Sequence, residues 1–271
     1  MVFDEAKLED TIAQEMITKL SVKDEKKEEE EKVLCISSSV EIPIGCLSKK
    51  KLIVLDLNGL VADIVSPPPK NVKSDATIAR KAVFKRPFYH EFLNFCFERF
   101  DVAVWSSRMK KNVDRVVDYL MGDMKHRLIF CWNLSHCTET TFKTLQNKHK
   151  PLVFKDLRKI WNKYDPNLPW EKGYYNESNT LLLDDSPYKA LLNPPYNSIF
   201  PHTFSYENQN DTSLAAGGDL RRYVEGLANA ENMLMYVEQH PFGQERITEK
   251  SEAWDFYLNV INSLSTCQPK K

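Results

Sequence analysis

From residue 33 onward, short unbroken apolar runs alternate with stretches in which apolar residues recur every three or four positions. The first kind fits strands covered on both faces and the second fits helices with one buried stripe. VLCISS (33–38) and LIVL (52–55), the latter after three lysines, read as strands. SPPPKNVKSD follows as a loop, and Arg86-Pro87 opens a helix striped by Phe88, Phe92, Phe95 and Cys96. FDVAVWS (100–106) reads as the next strand, and MKKNVDRVVDYLMG as a helix ending near Gly122. RLIFCW is a third strand of this body, PLVFKDLRKIW a short strand or loop entering a helix, and NTLLLDDSP a strand ending in two carboxylates and a proline. After NPPYNS the pattern predicts helices over about 219–240 and 249–264. Strands alternating with helices give an α/β fold with a mostly parallel central sheet flanked by helices.

The chain divides by composition into three parts. Residues 1–32 carry eleven acids and six lysines, ending in KDEKKEEEEK, and read as an acidic lead-in with at most a short helix. Residues 33–210 hold the strand–helix alternation, and 211–271 form a helical extension packing on it.

Composition then narrows the chemistry. Only 8 of 271 residues are glycine, and none lies in a G-x-G-x-x-G or G-x-x-x-x-G-K pattern, so glycine-rich dinucleotide and nucleotide loops are excluded. The net charge of −1 sets up no field for nucleic acid, and no direct nucleic-acid binding is expected. With residues 1–32 at −5, the remaining body is mildly basic, which suits an acidic or phosphorylated ligand. Six cysteines without paired short spacing, several inside apolar runs, point to reduced thiols of the cytosol or nucleus. The N-terminus has no apolar signal region and no apolar run reaches 18 residues, so no membrane association is expected.

The polar residues that stand out lie at strand ends, where open α/β sheets place their sites. LIVL ends at Asp56, VAVW at Ser106, and TLLL at the Asp184–Asp185 pair, with Lys155 before a helix in between. An acid, a hydroxyl, a lysine and an acid pair suit phosphoryl transfer. Asp56 is placed to attack phosphorus, Ser106 and Lys155 to hold the phosphoryl oxygens, and Asp184 and Asp185 to hold Mg²⁺.

This ordered set resembles the haloacid-dehalogenase-like superfamily, and within it the phosphatases of the RNA polymerase II C-terminal domain, also called NLI-interacting-factor-like or FCP1 homology domains. The resemblance rests on LDLNGLVAD, RPFYHEFLNF running into FDVAVWSS, FKDLRKIW and LLLDDSP, and covers roughly residues 50–205. It implies Mg²⁺-dependent dephosphorylation of phosphoserine or phosphothreonine in proteins through an aspartyl-phosphate. The nucleophile would be Asp56, the phosphate contacts Ser106 and Lys155, and the metal ligands Asp56, the Asn58 backbone carbonyl, Asp184 and Asp185. A phosphoprotein or other protein segment as partner follows from the same resemblance, and a nuclear or cytoplasmic location from the reduced thiols.

One position departs from the pattern. The family's loop is D-x-D-x-T or a close variant, its second aspartate being the general acid and base, whereas this chain has Asn58 there, with Leu60 two residues on. An amide moves no proton near pH 7, and general acid–base catalysis contributes about 10²–10⁴-fold. The alternative is therefore a catalytically inactive phosphate-binding or scaffold module of the same fold.

Only about residues 61–85 and 121–150 are free for insertions, too few for a packed helical cap, so the expected site is open to a protein segment. Each residue also has a simpler use. Asp56 and the acid pair suit turns, Ser106 suits a helix cap, and Lys155 suits solvent. His126, Cys131, His136, Cys137 and His149 match no common zinc spacing. Trp105, Trp132, Trp161 and Trp170 read as packing, with a peptide-binding aromatic among them as the alternative.

Overall fold

In the computed structural model, residues 50–266 are described. The expected strand at 33–38, the N-terminal helix, Cys35, Cys46 and Cys267 lie outside them.

Five parallel strands form the central sheet, in spatial order β10 (Ser198–Ile199), β9 (Thr180–Leu183), β1 (Leu52–Leu55), β5 (Asp101–Trp105) and β6 (Cys131–Trp132). β1 is central because all four of its residues are apolar and fully buried, as a strand with helices on both faces requires. It pairs in register with β5 (Leu55 opposite Val104) and with β9 (Leu55 opposite Leu183), so the three strands end level.

Alternate residues of β1 enter different cores. Ile53 and Leu55 pack with Phe92, Leu93 and Cys96 of helix α1 (Tyr89–Arg99) and with Val113, Val117 and Leu120 of helix α2 (Lys110–Met121). Leu52 and Val54 face Trp105, Trp132, Trp161 and Trp170. All four tryptophans are thus packing residues, and Trp105 and Trp132 meet edge to face. Cys96 and Cys137 are buried free thiols, and Cys131 is half-buried.

The insertions are small β elements. Strands β2 (Ala62–Val65), β3 (Ala76–Ile78) and β4 (Lys81–Lys85) make an antiparallel sheet of order β2-β4-β3 directly after the β1 loop. Strands β7 (Thr138–Thr144) and β8 (Asn147–Phe154) form an antiparallel hairpin. No large cap domain is present among the described residues.

Several elements differ from the sequence pattern. RLIFCW contributes only Cys131 and Trp132 to the sheet, because a 3₁₀ turn over Gly122–Arg127 precedes it and Asn133 caps another turn immediately after. PLVF pairs in the hairpin rather than with the central sheet, and the helix after it, α3, is one turn (Arg158–Trp161). The helix opened by Arg86-Pro87 begins at Tyr89, after Phe88 takes φ 61°. The single helix expected over 219–240 is two, α4 (Asp219–Asn229) and α5 (Met233–Gln239): Ala230 turns extended, and Asn232 caps the second through its Oδ1. Leu220, Val224 and Leu227 of α4 and Met233 and Val237 of α5 join the same core as Ile53 and Leu55. The last helix, α6, spans Trp254–Thr266, with Tyr257 and Val260 packed on Leu152 and Phe154 of β8.

Candidate active site

Because β1, β5 and β9 end level, the residues that follow them converge. Asp56, Ser106 and Asp184 sit at one sheet edge, each nearly or fully buried. Their backbones continue the ladder: Asp56 N–H donates to Leu183 O (2.9 Å), Ser106 N–H to Trp132 O (3.0 Å) and Asp184 N–H to Ile199 O (3.3 Å). Lys155 arrives from the end of β8 and is fully buried. Its amide donates to Lys189 O at 2.7 Å, which ties the hairpin to the 3₁₀ turn Pro187–Ala190.

The expected residues Asp56, Lys155 and Asp184 touch directly. Lys155 Nζ lies 2.5 Å from Asp184 Oδ2 and 3.2 Å from Asp56 Oδ1. A second ammonium completes the network. Lys189 Nζ donates to Asp56 Oδ2 and to Asp184 Oδ1, both at 2.8 Å, and lies 3.9 Å from Asp185 Oδ1. Asp184 Oδ1 also accepts Ser186 N–H at 2.9 Å, so this buried carboxylate is well supplied with donors. Lys189 was not among the residues singled out from sequence. Its only signal is a lysine four and five residues after two strand-end carboxylates.

Opposed effects set the charges. Burial works against the ionised form of Asp56, but the Lys155 and Lys189 ammoniums outweigh it and hold the carboxyl well below the usual range. Burial likewise opposes charge on Lys189, and Asp184, Asp56 and Asp185 overcome it, so the ammonium stays protonated well above the ordinary lysine range. Asp185 goes the other way. Burial and the neighbouring Asp184 and Asp56 push it up to about 6 against the pull of Lys189. Its oxygens accept from Ser186 Oγ and Thr203 Oγ1, each at 3.0 Å.

Asn58 stands in the turn after Asp56. Gly59 follows with φ 81°, and a Cβ there would run into the Asp185 carboxylate, so the turn needs glycine twice over. Asn58 Oδ1 accepts Ile64 N–H at 2.8 Å and Arg108 Nη2 at 3.3 Å. The backbone donor orients the amide, and its oxygen is used in holding β2 and Arg108. Arg108, a second residue the sequence did not single out, also donates to Ile64 O at 3.2 Å. Ser106 Oγ accepts Arg108 N–H at 3.4 Å, and Met109, not Ser106, is the residue at the N-cap of α2.

A cleft of about 400 Å³ opens over this edge, between β2, β4, the Ser106–Arg108 turn and the hairpin. Its lining carries four cationic side chains, Lys81, Arg108, Lys150 and Lys189, against two carboxylates, Asp56 and Asp185. Lys155 and Asp184 lie beneath and cancel one another. The cleft therefore has a surplus of two positive charges, equal and opposite to a phosphate monoester dianion. The carboxylates of Asp56, Asp184 and Asp185 lie within 4.8 Å of one another, the one cluster of three or more potential metal-ligating groups among the described residues. His126, Cys131, His136, Cys137 and His149 form no such cluster there.

Residues 51–234 match the model of the NLI interacting factor-like phosphatase family. The chain belongs to that family. It is 29% identical over 208 residues to an uncharacterized FCP1 homology domain-containing protein of Schizosaccharomyces pombe, covering 73% of this chain and 80% of that one. It is 30% identical over 145 residues to the ubiquitin-like domain-containing CTD phosphatase 1 of Danio rerio, covering 54% of this chain and 40% of the relative. With a probable C-terminal domain small phosphatase of Dictyostelium discoideum it shares 24% identity, covering 70% of this chain and 54% of that one. The match thus takes in about half or less of these two phosphatases. Among solved structures, fission yeast RNA polymerase II CTD phosphatase Fcp1 bound to beryllium fluoride matches with TM-score 0.40 at 11% identity, covering 81% of this chain and 64% of that one.

Proposed function

We propose that this chain recognises a phosphoserine or phosphothreonine side chain of a protein through the cleft over Asp56, and that Asn58 holds its hydrolysis to a low rate. The observation that carries the reading is the placement of ionised Asp56 at the floor of a cleft with two surplus positive charges. That charge matches a phosphate monoester and repels simple cations. The small β insertions leave the edge open to a polypeptide. A nuclear or cytoplasmic location, where phosphoproteins and reduced thiols coexist, suits the same reading.

In the catalytic version of this chemistry, an oxygen of Asp56 attacks phosphorus and the ester P–O bond breaks. The departing serine or threonine oxygen must then gain a proton. Water next attacks the aspartyl-phosphate, losing a proton as inorganic phosphate leaves. Ser106 and the cationic lining orient the phosphoryl group and offset its charge. Asn58 can neither donate the first proton nor accept the second, and Asp56 shares its charge with two ammoniums. Binding survives both features, whereas turnover depends on the missing acid and base.

Family membership also implies Mg²⁺ on Asp56, the Asn58 carbonyl, Asp184 and Asp185. Carboxylates are the right donors for that hard ion. With Lys189 bonded to Asp56 Oδ2 and Asp184 Oδ1, however, the residues do not fit a divalent ion at that place. A Mg²⁺-dependent phosphatase working at full rate is the second reading. The acidic cluster favours it, and it requires Lys189 to withdraw.

The test is ³¹P NMR of a phosphoserine peptide titrated with the protein. A saturable change of the peptide resonance, with slow phosphate release that Asp56→Asn abolishes, is the expected result. Fast release only with Mg²⁺ supports the second reading, and an unchanged resonance sinks both.

A further inference from the structure

We propose that the Lys189 ammonium takes the place of a divalent cation, so that this cleft binds a phosphoryl group without metal. The ligand in this statement rests on the phosphate reading above, whereas the exclusion of the metal does not.

A lysine ammonium has three donors. Two N–H groups of Lys189 are used, on Asp56 and Asp184 at 2.8 Å each. The third has no hydrogen-bond partner among the described residues, since Asp185 Oδ1 is 3.9 Å away, while Lys189 lines the cleft. One positive group therefore holds the Asp56 carboxylate and keeps a donor for an incoming oxyanion. A divalent ion held by these carboxylates would supply the same service, positive charge for both Asp56 and an incoming phosphoryl oxygen.

Lys189 is not a loose side chain that could swing aside. It is 3% exposed, and its backbone is fixed at both ends: its N–H donates to Ser186 O (3.0 Å) and its carbonyl accepts Lys155 N–H (2.7 Å). Withdrawal would strip the buried Lys189 ammonium of both carboxylate partners, and an unpaired buried charge is strongly unfavourable. Mg²⁺ dehydrates reluctantly and would have to meet that cost as well. Charge points the same way. The cleft lining already carries a surplus of two positive charges, so a divalent ion beside Lys189 would raise that surplus to four.

The experiment titrates Mn²⁺, a spectroscopic stand-in for Mg²⁺, into metal-free protein and follows the free ion by electron paramagnetic resonance. Wild type is expected to bind Mn²⁺ at least about tenfold more weakly than Lys189→Ser, in which the carboxylates are released. Mn²⁺ binding to wild type as tight as to that variant overturns the proposal. If Lys189→Ser does not fold, wild type alone decides: occupancy at Asp56, shown by loss of binding in Asp56→Asn, overturns it, and no such site upholds it. A second arm measures inorganic phosphate binding to wild type in EDTA and in Mg²⁺. Equal affinity is expected, and a gain of about tenfold with Mg²⁺ overturns the proposal. Absence of phosphate binding under both conditions defeats the phosphate reading and the metal-free binding with it, leaving the Mn²⁺ arm to decide whether Lys189 excludes the metal.

Discussion

Lys189 Nζ donates to Asp56 Oδ2 at 2.8 Å across 133 residues of chain, and the same nitrogen reaches Asp184 at the same distance. With Lys155 on the other oxygens, two carboxylates and two ammoniums form a closed, buried and neutral set at the sheet edge. Such a set is costly to break from one side only. Lys155→Met is expected to destabilise the protein by about 3–5 kcal/mol, because fully buried Asp184 loses its 2.5 Å partner. Urea unfolding measures the loss, and adding Asp184→Asn to Lys155→Met should restore part of it. Full additivity of the two losses would mean the groups are not coupled.

Asp185 provides a pH signature. Its folded pKa of about 6 lies above the ordinary 3.8, so the folded protein takes up a proton there before the unfolded chain does. The resulting stabilisation is fully present below the unfolded pKa and is lost as pH rises through 6. Asp56, held low, acts oppositely, but its contribution is lost only below the ordinary aspartate range. Between pH 7.5 and 5, wild type should therefore gain about 1 kcal/mol relative to Asp185→Asn. Denaturant melts of both proteins at the two pH values check this, and parallel pH profiles would contradict it.

Lys51 links the first strand of the sheet to the C-terminal helices. Its Nζ donates to Ala228 O at 2.6 Å and Leu227 O at 3.2 Å, two terminal carbonyls of α4. Burial lowers its pKa, yet a cation at a helix C-terminus is favourable. Lys51→Met should cost about 1 kcal/mol and raise amide exchange in the last turn of α4. Unchanged exchange there would show that the contact does not hold the helix end.

Much of this architecture was legible because the strand signals are unambiguous. LIVL and TLLL are unbroken apolar runs with an acid next in line, and such runs at a parallel sheet centre bring their following residues to one edge. Asp56, Ser106 and the acid pair could be gathered on that basis, whereas Lys155 follows a hairpin strand outside that sheet and could be picked out only through its place in the ordered set and the FKDLRKIW resemblance. Lys189 could not, because Pro-Tyr-Lys-Ala after Asp-Asp-Ser reads as an exposed turn, and only the turn's docking on Lys155 buries it. Arg108 lies in Ser-Arg-Met-Lys-Lys, where it looks like one more solvated cation. The boundary between α4 and α5 was hidden because Leu227, Met233 and Val237 sustain an apolar pattern across it, while one asparagine cap decides where the second helix starts. The short β6 shows the same limit, since side-chain capping by Asn133, not strand propensity, ends it.

Asn58 is the residue on which the functional account turns. Its oxygen accepts from Ile64 and Arg108, and an aspartate at that position offers the same acceptor, so Asn58→Asp should fold as wild type does. The decisive measurement is steady-state hydrolysis of an aryl phosphate by wild type and Asn58→Asp under identical conditions. A rise of about 10²-fold or more in the variant, abolished by adding Asp56→Asn, is the result the account requires. Wild type turning over as fast as Asn58→Asp would contradict it.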